Sequence, residues 1–110
     1  MKLVKYCSSN DENTVFRLAS VSKTFTPAAF ILSQSSQQLD RPISAYLPEL
    51  QFSRKDYQNQ LTTRHLLSQT TGLIPHTYTN LVQANVPYSR IVGQLKDVNF
   101  VCAPGKCYGY

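Results

Sequence analysis

From Ser20 onward the chain turns from polar to apolar in a helical rhythm. Val21, Phe25, Ala28, Ala29, Ile31 and Leu32 recur at three- and four-residue intervals, and Phe30 widens the stripe. A helix apolar around so much of its circumference belongs inside a larger core. Pro27 is its one breaker and must bend or loosen the turn before it. Ser35-Ser36-Gln37-Gln38 closes it.

The other elements are short. Lys2-Leu3-Val4-Lys5-Tyr6 alternates like a strand, residues 8–13 read as a turn, and Thr14-Val15-Phe16-Arg17-Leu18 as a second extended piece. Leu39 to Pro48 reads as a turn and short helix, and Gln51 to Gln60 as polar loop. Thr62 or Thr63 can cap a helix containing His65-Leu66-Leu67, with Gly72 as its stop. Ile74 to Val86 reads as irregular. Pro87 suits the first turn of a helix carrying Ile91, Val92, Leu95 and Val98. Phe100 to Ala103 then runs extended into a Pro104-Gly105 turn. With 110 residues, no repeat and no linker, this is one domain or a piece of one.

Composition removes several classes of function. Charged residues are 15% of the chain and its net charge is +5, yet the eleven Lys and Arg are dispersed, with only Arg54-Lys55 adjacent. A phosphate-tracking surface needs several charges on one face, so nucleic acid is not an expected partner. Aromatics at 11% are too many for a disordered chain. No apolar run reaches the ~20 residues of a membrane span, and the first residues hold no signal-peptide core. Neither His65 nor His76 stands at metal spacing to a Cys, so no metal is expected. Cys102 and Cys107 bracket a turn tight enough to permit a disulfide.

Ser20 and Lys23 lie three residues apart, on one helical face. A serine nucleophile needs a base within hydrogen-bond reach, and a lysine there can serve. Ser20 also stands where the helix begins, so its backbone N–H can face a developing oxyanion. Eleven Ser and six Lys in 110 residues give about 0.6 chance matches to such a spacing, so it is weak alone. The competing reading makes Ser20 a helix N-cap and Lys23 a solvated first-turn residue.

The surroundings separate the two. Phe16-Arg17-Leu18-Ala19-Ser20-Val21-Ser22-Lys23-Thr24-Phe25-Thr26 resembles the nucleophile segment of the serine β-lactamase-related family. That family includes class C β-lactamases, low-molecular-weight penicillin-binding proteins and esterases built like them. Leu39 to Glu49 resembles its following turn and short helix. Leu61-Thr62-Thr63-Arg64-His65-Leu66-Leu67-Ser68-Gln69-Thr70-Thr71-Gly72-Leu73 is similar to its T-x-R-H-L-L-x-H-T-S-G-L segment. Pro104-Gly105 followed by Tyr110 is similar to its P-G-x-x-x-x-Y-x-N approach to the second catalytic motif. The four matches stand in family order over residues 16–110 and are weakest over 74–99.

The resemblance implies an α/β (α+β) β-lactamase/transpeptidase-like fold. Residues 1–110 would form a partial serine hydrolase domain with strand remnants, the nucleophile helix and part of the helical subdomain. It implies Ser20 as the acylated nucleophile, Lys23 as its base partner and Tyr110 as the tyrosine that shuttles a proton to the leaving group. Tyr108 is the competing tyrosine. The implied substrate is a β-lactam, a D-Ala-D-Ala-type peptide or an ester, in a periplasmic or extracellular setting and with no cofactor. Gln69 stands where many relatives carry His, and Ser36 where they often carry Gly. The asparagine two places after the tyrosine and the Lys/His-Thr-Gly strand are not in these residues, and Thr70-Thr71-Gly72 is no substitute because it precedes Tyr110 on a helix end. A noncatalytic interaction domain of the same fold and a small basic binding domain are the alternatives.

Overall fold

The apolar segment forms α1 (Ser22–Ser33), which the chain enters through a 3₁₀ turn at Ala19–Val21. The structure, a computed structural model, describes residues 9–110. The strand expected over residues 2–6 lies outside them. Pro27 sits inside α1 without ending it; its missing N–H removes only the bond that would reach the Lys23 carbonyl. Val21 and Phe25 remain 58% and 61% exposed, and Ile31 and Leu32 are exposed as well. Residues 9–110 therefore do not supply the core that this helix requires. A Cα radius of gyration of 17.9 Å agrees, since a compact domain of this length has about 13 Å.

Burial is concentrated beyond α1. Ile43, Phe52 and Leu61 form the buried cluster, and Leu50, Leu73, Leu95 and Phe100 pack against it. Around and beyond it the chain winds into short pieces: 3₁₀ turns at Ser36–Asp40 and Ile43–Ala45, α2 (Lys55–Gln58), α3 (Thr63–Leu67), α4 (Thr79–Gln83), α5 (Tyr88–Gly93) and a 3₁₀ turn at Leu95–Asp97. Among the described residues there is no strand, only isolated antiparallel bridges joining Pro42 to Thr62 and Leu73 to Phe100. The extended piece expected over Thr14–Leu18 has no assigned secondary structure and pairs with none of the described residues, and Val15, Phe16 and Leu18 stand exposed.

Two segments read as irregular are ordered by local polar bonds. Within 51–60 the Phe52 ring enters the core while its N–H donates to Gln58 Oε1 at 2.8 Å. Arg54 holds Asp56 in a two-bond ion pair and lies 3.6 Å from the centre of the Tyr57 ring. Those contacts wind α2 where polarity alone predicts loop. Within 74–86 the left-handed residues His76 and Tyr78 turn the chain into α4, and Tyr78 Oη donates to the Gln94 carbonyl at 3.0 Å.

The arrangement that matters for the site is the docking of the 99–110 arm on the segment that follows α3. Thr62 caps α3 in a reciprocal capping box with His65, and Arg64 reaches Asp40 through bonds of 2.7 and 2.9 Å. After α3 the chain turns at Gln69, whose φ is +60°. It then offers a row of carbonyls to the later arm. Gly72 accepts from Val101 N–H at 2.7 Å, Thr70 from Gly105 N–H at 2.7 Å, and Gln69 from Gly109 N–H at 2.9 Å. Tyr110 follows directly on the last of these bonds.

Candidate active site

Ser20 lies in the 3₁₀ turn ahead of α1, and Lys23 is the second residue of the helix. Three residues of this winding bring the amine back over the hydroxyl: Lys23 Nζ donates to Ser20 Oγ at 3.2 Å. The turn begins at Ala19, whose φ of +48° is costly for a residue with a Cβ. Its first bond is Val21 N–H to the Leu18 carbonyl at 3.1 Å. The Ser20 N–H stands ahead of that bond, where a helix start presents donors to an anion.

Tyr110 arrives from the other end of the described chain. Its Oη lies 2.5 Å from Ser20 Oγ and accepts from Lys23 Nζ at 2.8 Å. The three polar atoms form a closed triangle. The sequence places these residues as candidates, and the fold brings all three together. The N-cap positions of the 3₁₀ turn and of α1 are Leu18 and Val21, so Ser20 is not a helix N-cap. Tyr108 is 71% exposed.

The Lys23 ammonium bonded to its oxygen, and secondarily the Ser20 hydroxyl, hold the Tyr110 phenol below its ordinary pKa. The phenolate is thus populated from a lower pH upward. The Lys23 charge also lies 5.0 Å from the ring centre. His76 meets the same ring edge-on, with centres 6.3 Å apart.

A family model described as Beta-lactamase matches residues 3–110. The chain belongs to the beta-lactamase family. Over 65 residues it is 38% identical to a protein named esterase EstB from Burkholderia gladioli, a stretch covering 56% of this chain and 17% of that protein. Over 66 residues it is 39% identical to a protein named beta-lactamase from Pseudomonas fluorescens, covering 58% of this chain and 18% of that one. The matched stretches thus span less than a fifth of the length of these curated relatives. No solved structure gives a significant match. Membership of the beta-lactamase family assigns the chain to a serine-hydrolase-related fold, of which residues 9–110 show helical parts.

Beside the triangle, an open cavity of about 200 Å³ is lined by Lys23, Thr26, Pro27, Leu66, Leu67 and Gln69. Neither Ser20 nor Tyr110 lines it. Among the described residues no cluster of His, Cys, Asp or Glu could hold a metal ion, and no helix is long and apolar enough to cross a membrane. Sequence reasoning missed two contributors. Gln69 acts through its backbone carbonyl, which any residue type could supply, so its side chain gave no signal. His76 reaches Tyr110 only because α4 is entered through a left-handed turn, and no motif marks that.

Proposed function

We propose that this beta-lactamase-family chain carries the nucleophile side of a serine acyl-transfer site, working through an acyl-enzyme. Ser20 Oγ attacks an acyl carbon, and its proton passes to Tyr110 Oη, the nearest acceptor. Lys23 and Tyr110 act together as the base. One proton short of their full complement, they are ammonium and phenolate or amine and phenol, related by one proton crossing the bond between them. The Ser20 N–H contributes one oxyanion donor. Tyr110 then returns the proton to the leaving group, and water releases the acyl group from Ser20 in a second half-reaction. The observation that carries this reading is the mutual hydrogen bonding of Ser20, Lys23 and Tyr110.

The substrate class we propose is a β-lactam, a D-Ala-D-Ala-type peptide or an ester, in keeping with the family and with the names of the two relatives. We also propose that residues 1–110 are part of a longer domain, because α1 keeps its apolar faces exposed. A periplasmic or extracellular setting fits the Cys102–Cys107 disulfide. The test is to treat the full-length protein with a fluorescent penicillin and with a fluorescent phosphonate and to map the adduct. Labelling is expected at Ser20 and should vanish in Ser20→Ala. An adduct at Ser22, or undiminished labelling of Ser20→Ala, would overturn the proposal.

A further inference from the structure

Tyr110 is the only member of the triangle that local helical winding does not place. Its position depends on the loop that delivers it. The outgoing arm of that loop is held by Val101 N–H on the Gly72 carbonyl and by Gly105 N–H on the Thr70 carbonyl. The fit there is tight: a Cβ on Gly72 would lie 2.2 Å from the Cys102 carbonyl oxygen. The return arm has fewer ties. Among the described residues, the Lys106 N–H bonds back within the turn to Ala103, and Gly109 N–H reaches Gln69 at 2.9 Å. The remaining covalent tie is the disulfide from Cys107 to Cys102, with Cα atoms 6.3 Å apart. It joins the loosely held arm to the firmly held one, three residues before Tyr110.

We propose that the Cys102–Cys107 disulfide is a positioning element for the site, holding the return arm so that Tyr110 Oη stays between Ser20 Oγ and Lys23 Nζ. This rests on the reading above and deepens it. The bonds to be kept are 2.5 and 2.8 Å long, so a shift of about 1 Å takes the oxygen out of good hydrogen-bonding range of both partners. Breaking the bridge leaves the Gly109 bond as the arm's backbone tie to the α3 loop. Opening it with dithiothreitol gives each sulfur one hydrogen, while the reagent's two thiols close to its cyclic disulfide. The acyl-transfer chemistry itself consumes no electrons, so the bridge acts only through geometry.

The experiment compares the full-length protein with its Cys102→Ser/Cys107→Ser variant, using the fluorescent phosphonate as probe. The maximal rate of Ser20 labelling should fall by about 10–10²-fold, with little change in the half-saturating probe concentration. Dithiothreitol should produce the same loss in the native protein, reversed on reoxidation, and should leave the double variant unaffected. A second readout needs no turnover: NMR titration of the Tyr110 ring carbon, identified by its absence in Tyr110→Phe. The charged and titratable groups facing that ring are Lys23 from α1 and His76 from the segment before α4. The Tyr110 midpoint should rise towards the ordinary tyrosine value of about 10 when the bridge is absent.

A folded double variant that labels at the native rate and keeps a low Tyr110 midpoint would overturn the inference. So would global unfolding of both the variant and the reduced protein, which would make the bridge a general stabiliser. If the oxidised protein takes no label at Ser20, the proposed function fails instead, and the Tyr110 midpoint alone then decides the inference.

Discussion

Gly72→Ala puts a side chain where the backbone leaves no room for one. Gly72 has φ +82°, and a Cβ there would meet the Cys102 carbonyl oxygen at 2.2 Å and its carbon at 3.1 Å. Ordinary C···O contacts lie at about 3.3–3.6 Å, so the Cys102 carbonyl must retreat by about 1.1–1.4 Å. No side chain can swing aside, because both atoms are backbone. The left-handed conformation costs an L-residue about 1–2 kcal/mol, and loss of the Val101–Gly72 hydrogen bond adds about 1. The expected destabilisation is about 2–3 kcal/mol, a large part of the 5–15 that domains have. The displacement also travels through Cys102 to the Tyr110 loop, and an error near 1 Å costs about 10²-fold in rate. Urea unfolding of the full-length protein measures the first effect, and phosphonate labelling of Ser20 the second. Gly93→Ala is the internal control, since nothing lies within 4 Å of its added Cβ. Placed in α5, it should be neutral or stabilising by up to about 1 kcal/mol. If Gly72→Ala unfolds within about 0.5 kcal/mol of the native protein and labels at its rate, the packing argument is wrong.

The other expectations concern the base and the core. Lys23→Ala and Lys23→Arg should both lower Ser20 labelling by about 10²–10⁴-fold, because arginine keeps the charge but cannot release its proton. Wild-type labelling of Lys23→Arg would reduce Lys23 to an electrostatic anchor. The lowered Tyr110 pKa makes its phenolate available from below the usual tyrosine value, so labelling should rise with pH through that lowered pKa. In Lys23→Ala the rise should move to higher pH, and a profile that stays in place would separate Tyr110 from the base. Leu61 is fully buried between Ile43 and Phe52, so Leu61→Ala should cost about 2–5 kcal/mol in denaturant unfolding without changing the pH profile.

The site was legible where local winding or a motif encodes it. Ser20 and Lys23 share a face because three residues make most of a helical turn, and the Thr62 cap could be read from its place ahead of an apolar run. Pro87 likewise marks the start of α5. Tyr110 was reachable only through the family pattern around Pro104-Gly105, since no periodicity links residues so distant. What stayed hidden depends on contacts across the chain or on unusual backbone. The burial of Phe52 comes from Ile43, Leu61 and Phe100, none of them near it in sequence. The left-handed turns at Ala19, Gln69 and Tyr78 use residues that local propensity does not favour there. The extended piece at Thr14–Leu18 has strand-type residues, but pairing depends on a neighbour, and none of the described residues pairs with it.

Ser20 and Tyr110 are separated by 90 positions along the chain. At about 5–20 residues per second, translation takes roughly 5–18 s to travel from one to the other. Throughout that interval the serine has a lysine beside it but no phenol, and it remains close to an ordinary alcohol. The hydrogen-bonded triangle exists only once the far end of this stretch has left the ribosome and docked. Under the function proposed above, a nascent chain would therefore carry Ser20 unarmed past the reactive small molecules of the compartment in which it is made.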